Sequence, residues 1–307
     1  MAFLKLIRYQ NLLLLIFMQL MFRYGFLYFQ DITLALTDFQ FGILILSTVC
    51  IAAAGYIINN IFDTETDFIN EKNPIVGTTI SEGLAYNLFI TLNVLGVGCG
   101  FYLSNVIEKP GFALLFIVIS GTLYMYASSL KQSLLVGNFV VAILTGVSVL
   151  IIGIFDLLPI VTPENKVQLG ILFKILLDYA IFAFLINFIR EIVKDLEDVK
   201  GDYNLGMNTL PIALGVARTS KVLLIITSLI TVYLLYYIYQ YYFNNNLYIS
   251  TLYSLLMVIA PLIFFCIKIV EAKTSKDFKN LSLILKLVLL FGIFSIAVNT
   301  YTILSNV

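Results

Sequence analysis

Apolar residues run along this chain in stretches of about 20, the length that carries an α-helix across a bilayer. Nine such runs occupy roughly 9–30, 40–62, 85–107, 111–127, 136–156, 169–193, 219–243, 248–270 and 280–303, with short polar segments between them. The pattern predicts an all-α integral membrane protein, with nine transmembrane helices in one bundle. No Pro-rich, Ser-rich or low-complexity linker divides it, so residues 1–307 are read as a single domain. The first run continues past Arg23 and lacks the ordered parts of a cleavable signal, and it is therefore expected to stay as a helix.

Composition sharpens this picture. Of the 307 residues 61% are hydrophobic and 12% charged, which is too apolar for a water-soluble domain of this size. The chain has no histidine, so His-ligated haem, His-based zinc and a His general base are excluded. Cys50, Cys99 and Cys266 all fall inside predicted spans without CxxC spacing, which fits packing better than a disulfide or thiolate centre. Nothing suggests nucleic acid as a partner; membrane lipid is the expected surroundings.

The 18 basic residues are unevenly shared between the loops. Thirteen fall in the N-terminal segment and alternate loops, against Lys109 and Lys166 on the other side, while Arg23, Lys174 and Lys286 lie inside spans. The positive-inside rule then places the N-terminus in the cytoplasm and the protein as a multi-pass component of the cytoplasmic (inner) membrane. Lys174 and Asp178, four residues apart in the sixth run, are expected to pair with each other.

Two acidic patches stand at the cytoplasmic ends of the second and sixth runs. They read Asn59-Asn60-Ile61-Phe62-Asp63-Thr64-Glu65-Thr66-Asp67 and Asp195-Leu196-Glu197-Asp198-Val199-Lys200-Gly201-Asp202, and they fall in the two longest polar stretches, 63–84 and 194–221. On a helix, residues four apart share a face, so Asn59, Asp63 and Asp67 make one stripe of oxygens. Asp195, Asp198 and Asp202 make another, extended backward by Glu191. Carboxylates beside hydrocarbon need a neutralising charge, and a divalent metal suits them. Magnesium prefers a few carboxylates plus phosphate oxygens, and Arg190 and Lys194 supply phosphate-binding cations on the neighbouring stripe. Five aspartates, two Mg²⁺, one diphosphate and the cations Lys72, Lys131, Arg190 and Lys194 sum to about zero charge, as a low-dielectric site demands.

The first patch is similar to the NDxxDxxxD motif, and the second to the DxxxD motif, of the UbiA superfamily of intramembrane prenyltransferases. The stretch from Arg190 to Asp202, followed by Thr209-Leu210-Pro211-Ile212, looks most like the branch of archaeal geranylgeranylglyceryl phosphate geranylgeranyltransferases. Arg8 and Asn11 before the first span, Tyr126 with Lys131 after the fourth, and Gly137-Asn138 opening the fifth match in order. Asn60 stands where the family usually has Asp, which removes one negative charge near the first metal.

The resemblance implies Mg²⁺-dependent transfer of a polyprenyl group from its diphosphate to a lipophilic acceptor, with the active site at the cytoplasmic side and two ions bound. Asn59, Asp63 and Asp67 would hold one ion, and Asp198 and Asp202 the other, with Asp195 nearby. Asp63, Asp67, Asp198 and Asp202 are thus the catalytic carboxylates, and Tyr126 would face the allylic cation with its ring. Lys72, Lys131, Arg190, Lys194 and Asn11 would bind diphosphate. The acceptor is expected to be a geranylgeranylglyceryl-phosphate-type ether lipid, with a quinone-precursor aromatic, dihydroxynaphthoate or hydroxybenzoate, as the alternative. A cation transporter is the rival from another class; it requires ionisable groups near the bilayer midplane, whereas these carboxylates cluster at one end.

Overall fold

Each long apolar run is a helix, and the polar residues between the runs start and stop it. In a computed structural model that describes residues 2–70 and 73–306, nine helices among those residues are long and apolar enough to cross a membrane. They are α1 (Tyr9–Gln30), α2 (Asp38–Phe62), α3 (Glu82–Val106), α4 (Pro110–Ser128), α5 (Val136–Ile160), α6 (Lys166–Asn204), α7 (Val216–Asn245), α8 (Tyr248–Glu271) and α9 (Ser275–Ser305). Thr37 and Gln40 form a capping box at the start of α2, and Thr274 with Asp277 does the same for α9. Ser81 caps α3 by accepting from Leu84 N. Within α8, Pro261 can neither donate a hydrogen bond nor pack against the preceding turn, and the helix widens to a π-turn at Leu255–Ile259 just before it.

Six helices, α1, α2, α4, α5, α6 and α9, surround a central cavity; α3 packs outside α2 and α4, and α7 and α8 pack behind α6 and α9. Connections are short, so consecutive helices run in opposite directions. The acidic ends of α2 and α6, the Arg8 segment, the 129–135 turn and the start of α9 therefore gather at one end of the bundle.

The sixth span differs from the sequence expectation. Its helix does not stop near residue 193 but continues through the second acidic patch to Asn204. At 1.5 Å per residue its 39 residues reach about 58 Å, nearly twice the thickness of the hydrocarbon layer. The polar end is held as helix because Leu196 and Gly201 are buried against neighbouring elements. The first patch breaks differently: α2 ends at Phe62, Asp63 forms the joint, and a short helix, Thr64–Ile69, carries Asp67.

The opposite end is closed by an ion pair. Arg23 of α1 donates to both carboxylate oxygens of Asp156 in α5, at 2.7 Å each, and to the Leu36 carbonyl at 2.6 Å. Leu36 N returns a bond to Asp156 Oδ1 at 3.2 Å. The pairing expected between Lys174 and Asp178 is replaced by another: Asp178 accepts a hydrogen bond from the Tyr237 hydroxyl of α7 at 3.0 Å, while Lys174 is exposed. The Tyr237 hydroxyl satisfies the carboxylate within the bundle, whereas the lysine lies on the exposed face of α6.

Candidate active site

Two elements bring the acidic patches together. The short helix Thr64–Ile69 lies against the polar end of α6, and Asn70 at its end bridges the gap. Its amide donates to the Asp198 carbonyl and to Asp198 Oδ1, both at 3.4 Å, and its Oδ1 accepts from Gly201 N at 2.8 Å. Gly201 makes this approach possible. A Cβ there would stand 2.5 Å from Asn70 Nδ2 and 2.9 Å from Thr66 Cγ2, so a side chain would displace Asn70 from its bridge between the patches.

The predicted donors occupy this junction. Asn59 Nδ2 donates to Asp63 Oδ2 at 2.5 Å, which places both on one face as their spacing implies, and Asp67 follows one turn on. On α6, Asp195 accepts from Asn138 of α5 at 2.7 Å, and Asp202 is buried and accepts from Thr209 at 3.3 Å. Lys131 reaches across from the turn after α4 to contact Asp63. Burial lowers its pKa to about 8, against the opposing pull of Asp202 and Asp198, so the lysine lies within the field of both patches. The turn reaches this position because Gly137 offers no side chain: a Cβ there would meet the Lys131 backbone at 2.7 Å. Lys72 lies outside the described residues.

Beneath the aspartates the cavity opens. It measures about 300 Å³, and its polar rim carries Arg8, Asn11, Asn59, Tyr126, Arg190 and Lys194. Farther in, Phe22, Phe116, Ile119, Ile151, Ile293 and Ile296 line it. Lys194 pairs with Glu191 at 2.5 Å, with Arg190 at 3.6 Å from the same carboxylate oxygen. Tyr126 lies in the field of Glu191, Asp195 and Arg8. Asn187, one turn deeper than Glu191, donates to Thr145 of α5 at 2.9 Å and ties two walls of the cavity together.

Sequence reasoning did not single out Asn70, which positions Asp198, and it noted Asn138, which positions Asp195, only as part of the family pattern. It noted Arg8 without giving it a role in the site. Arg8 adopts the left-handed region, with φ of 48°, and stacks its guanidinium 5.3 Å over the Tyr56 ring, which turns it toward the cavity. Gly201 did carry a signal: a glycine inside a polar helical pattern marks a close approach.

The donor set suits a hard divalent cation. Among the described residues, no three carboxylates converge to form a cage by themselves. The oxygens come from two facing elements, an arrangement that a metal sharing its coordination with phosphate oxygens can bridge. Asn59 Oδ1 is buried and accepts no hydrogen bond, leaving it available as a ligand. The aspartates therefore fit magnesium carried with a diphosphate.

An all-helical membrane bundle with carboxylates and cations over an apolar chamber is built to handle a charged headgroup joined to a greasy chain. The pattern of the UbiA prenyltransferase family matches residues 12–298, and the chain belongs to that family. It is thus a multi-pass membrane protein. A digeranylgeranylglyceryl phosphate synthase of Methanothermobacter thermautotrophicus is 40% identical over 190 residues, and the alignment spans 60% of each chain. The protein of the same name from Methanobrevibacter smithii is 30% identical over 254 residues, covering 82% of this chain and 83% of that one. The apo structure of a UbiA homologue from Aeropyrum pernix K1 superposes with a TM-score of 0.65 at 14% identity, over 97% of this chain and 98% of that one, which supports the fold.

Proposed function

We propose that this single-domain protein transfers a geranylgeranyl group from its diphosphate to the hydroxyl of geranylgeranylglyceryl phosphate, as the names of its relatives describe for them. One observation carries the reading: the two aspartate patches, 128 residues apart in the chain at Asn70 and Asp198, meet over the mouth of an apolar cavity. The basic residues concentrated at the same end orient that mouth toward the cytoplasm.

Members of this family generally depend on magnesium. Asn59, Asp63 and Asp67 would hold one ion and Asp198 and Asp202 a second, with Asp195 beside them. Bound there, the metal would supply Lewis-acid charge to stabilise a departing diphosphate. Lys131 and Lys194 add fixed positive charge at the same oxygens, beside Asn11. The C1–O bond of the donor breaks with its electron pair leaving on diphosphate. The acceptor hydroxyl oxygen forms the new ether bond at C1, and its proton passes to a rim carboxylate or to the released diphosphate. The ring of Tyr126 faces the allylic carbon and stabilises its developing positive charge. Water would capture that carbon, and the Phe22, Ile151 and Ile296 walls keep it out.

Purified protein incubated with labelled geranylgeranyl diphosphate, Mg²⁺ and a panel of acceptors is expected to form the digeranylgeranyl ether of glyceryl phosphate, and EDTA to abolish the product. Asp63→Ala and Asp198→Ala are expected to reduce turnover at least a thousandfold while the protein still folds. Transfer to dihydroxynaphthoate or hydroxybenzoate alone would move the protein to the aromatic branch. Ion flux in proteoliposomes without any prenylated product would make it a transporter.

A further inference from the structure

Lys286 sits in the middle of α9, inside the membrane, and faces the cavity. A cation so placed is retained for a partner. Its charged neighbours are of its own sign, Arg190 and Arg8, and among the described residues it has neither an ion pair nor a hydrogen bond. The Nε of Arg190 is likewise buried without an acceptor. Among the described residues, one carboxylate lines the cavity, Glu191, and Lys194 already engages it at 2.5 Å. The chamber is thus short of negative charge.

Depth separates this cluster from the aspartates. Ser275 at the start of α9 bonds the Glu197 carbonyl of α6, which fixes the register of the two helices. Measured from that contact, Lys286 lies 11 residues along α9 and Arg190 seven residues back along α6, or about 16 and 10 Å. The lysine side chain leans toward its helix N-terminus, which narrows that difference, and both side chains line the same cavity. Both lie below Asp198 and Asp202, on the wall formed by α1, α6 and α9, whereas Lys131 serves the aspartate side. The reaction proposed above brings two anions, the donor diphosphate and the acceptor phosphate.

Resting on that function, we propose that Lys286, with Arg190 and Arg8, forms a subsite for the phosphate monoester of the acceptor lipid, separate from the metal and diphosphate site. The subsite selects a phosphorylated acceptor and holds its adjacent hydroxyl beneath C1 of the donor.

Steady-state kinetics of the wild type, Lys286→Met and Lys286→Arg test it, with geranylgeranylglyceryl phosphate and geranylgeranyl diphosphate varied in turn. Lys286→Met is expected to raise the acceptor KM at least tenfold and to leave the donor KM within twofold, and Lys286→Arg to stay within threefold of wild type. The preference for the phosphorylated acceptor over geranylgeranylglycerol is expected to fall at least tenfold in Lys286→Met, a change that mere loss of packing would not produce. Acceptor binding to the wild type in EDTA, followed by tyrosine fluorescence, is expected to persist, and this measurement stands even if Lys286→Met fails to fold. An unchanged acceptor KM, a rise confined to the donor, or loss of acceptor binding in EDTA would overturn the subsite alone. A wild type that makes no product from the phosphorylated acceptor would overturn the function and the subsite together.

Discussion

Asn59 and Asn60 are neighbours with opposite duties. The Asn59 amide turns to Asp63, whereas the Asn60 amide donates to the carbonyls of Tyr56, at 2.8 Å, and Leu6, at 3.3 Å. Both of its partners are acceptors, so an aspartate at this position would set oxygen against oxygen. Leu6 is fully buried on Ile57, Ile58 and Ile61, and Arg8 follows it by two residues. Asn60 thus anchors the segment that delivers Arg8 to the cavity. Asn60→Asp is expected to cost about 1–2 kcal/mol in melting experiments in detergent, through the lost hydrogen bonds, and to lower turnover as Arg8 loosens. Higher activity at limiting Mg²⁺ with unchanged melting would show instead that the side chain swings to the metal. The sequence marked Asn60 as a departure from the family motif but not the reason for it, because Leu6 is 54 residues away in the chain.

At the scale of elements, the site depends on how closely the short helix Thr64–Ile69 approaches α6. Alanine normally favours a helix over glycine by about 1 kcal/mol, but at position 201 its Cβ would overlap Asn70 and Thr66. Gly201→Ala is therefore expected to leave thermal stability nearly unchanged and to cut kcat at least tenfold by spreading the two carboxylate sets. Wild-type kcat in this variant would show that the spacing does not matter. The spans were legible to within a few residues because hydropathy follows the bilayer. Where α6 leaves the bilayer that signal ends, although the helix does not: Val193, Leu196 and Gly201 keep helical spacing on a buried face among charges. The acidic stripes were legible from their spacing alone. Their meeting was not, since it rests on one asparagine and one glycine in different elements.

Across the whole molecule, charge is used in two ways. At the aspartate end, carboxylates and cations gather over a cavity where Asn59 Oδ1 and Arg190 Nε are buried without a hydrogen-bond partner, which suits a site that accepts anions and metal. At the other end the charges are paired within the protein: Arg23, 4% exposed, bonds the fully buried Asp156 and lies 3.3 Å from Asp38, and the Leu36 backbone supplies both a donor and an acceptor. In sequence Arg23 was a lone charge within a span, and its partner, 133 residues away, could not be read from spacing. The clamp joins α1, α5 and the approach to α2 beneath Phe22, at the inner end of the cavity. Removing Asp156 leaves the buried Arg23 with the exposed Asp38 as a weaker partner, so Asp156→Ala is expected to cost about 3 kcal/mol of stability. Replacing both, Arg23→Met with Asp156→Leu, is expected to recover much of that loss, because no unpaired charge remains. Unfolding in mixed detergent micelles measures each variant, and turnover below the melting transition is expected to stay near wild type in the double variant. A single variant as stable as the wild type would mean that packing around Phe22 and Leu36, not the ion pair, closes this end of the bundle.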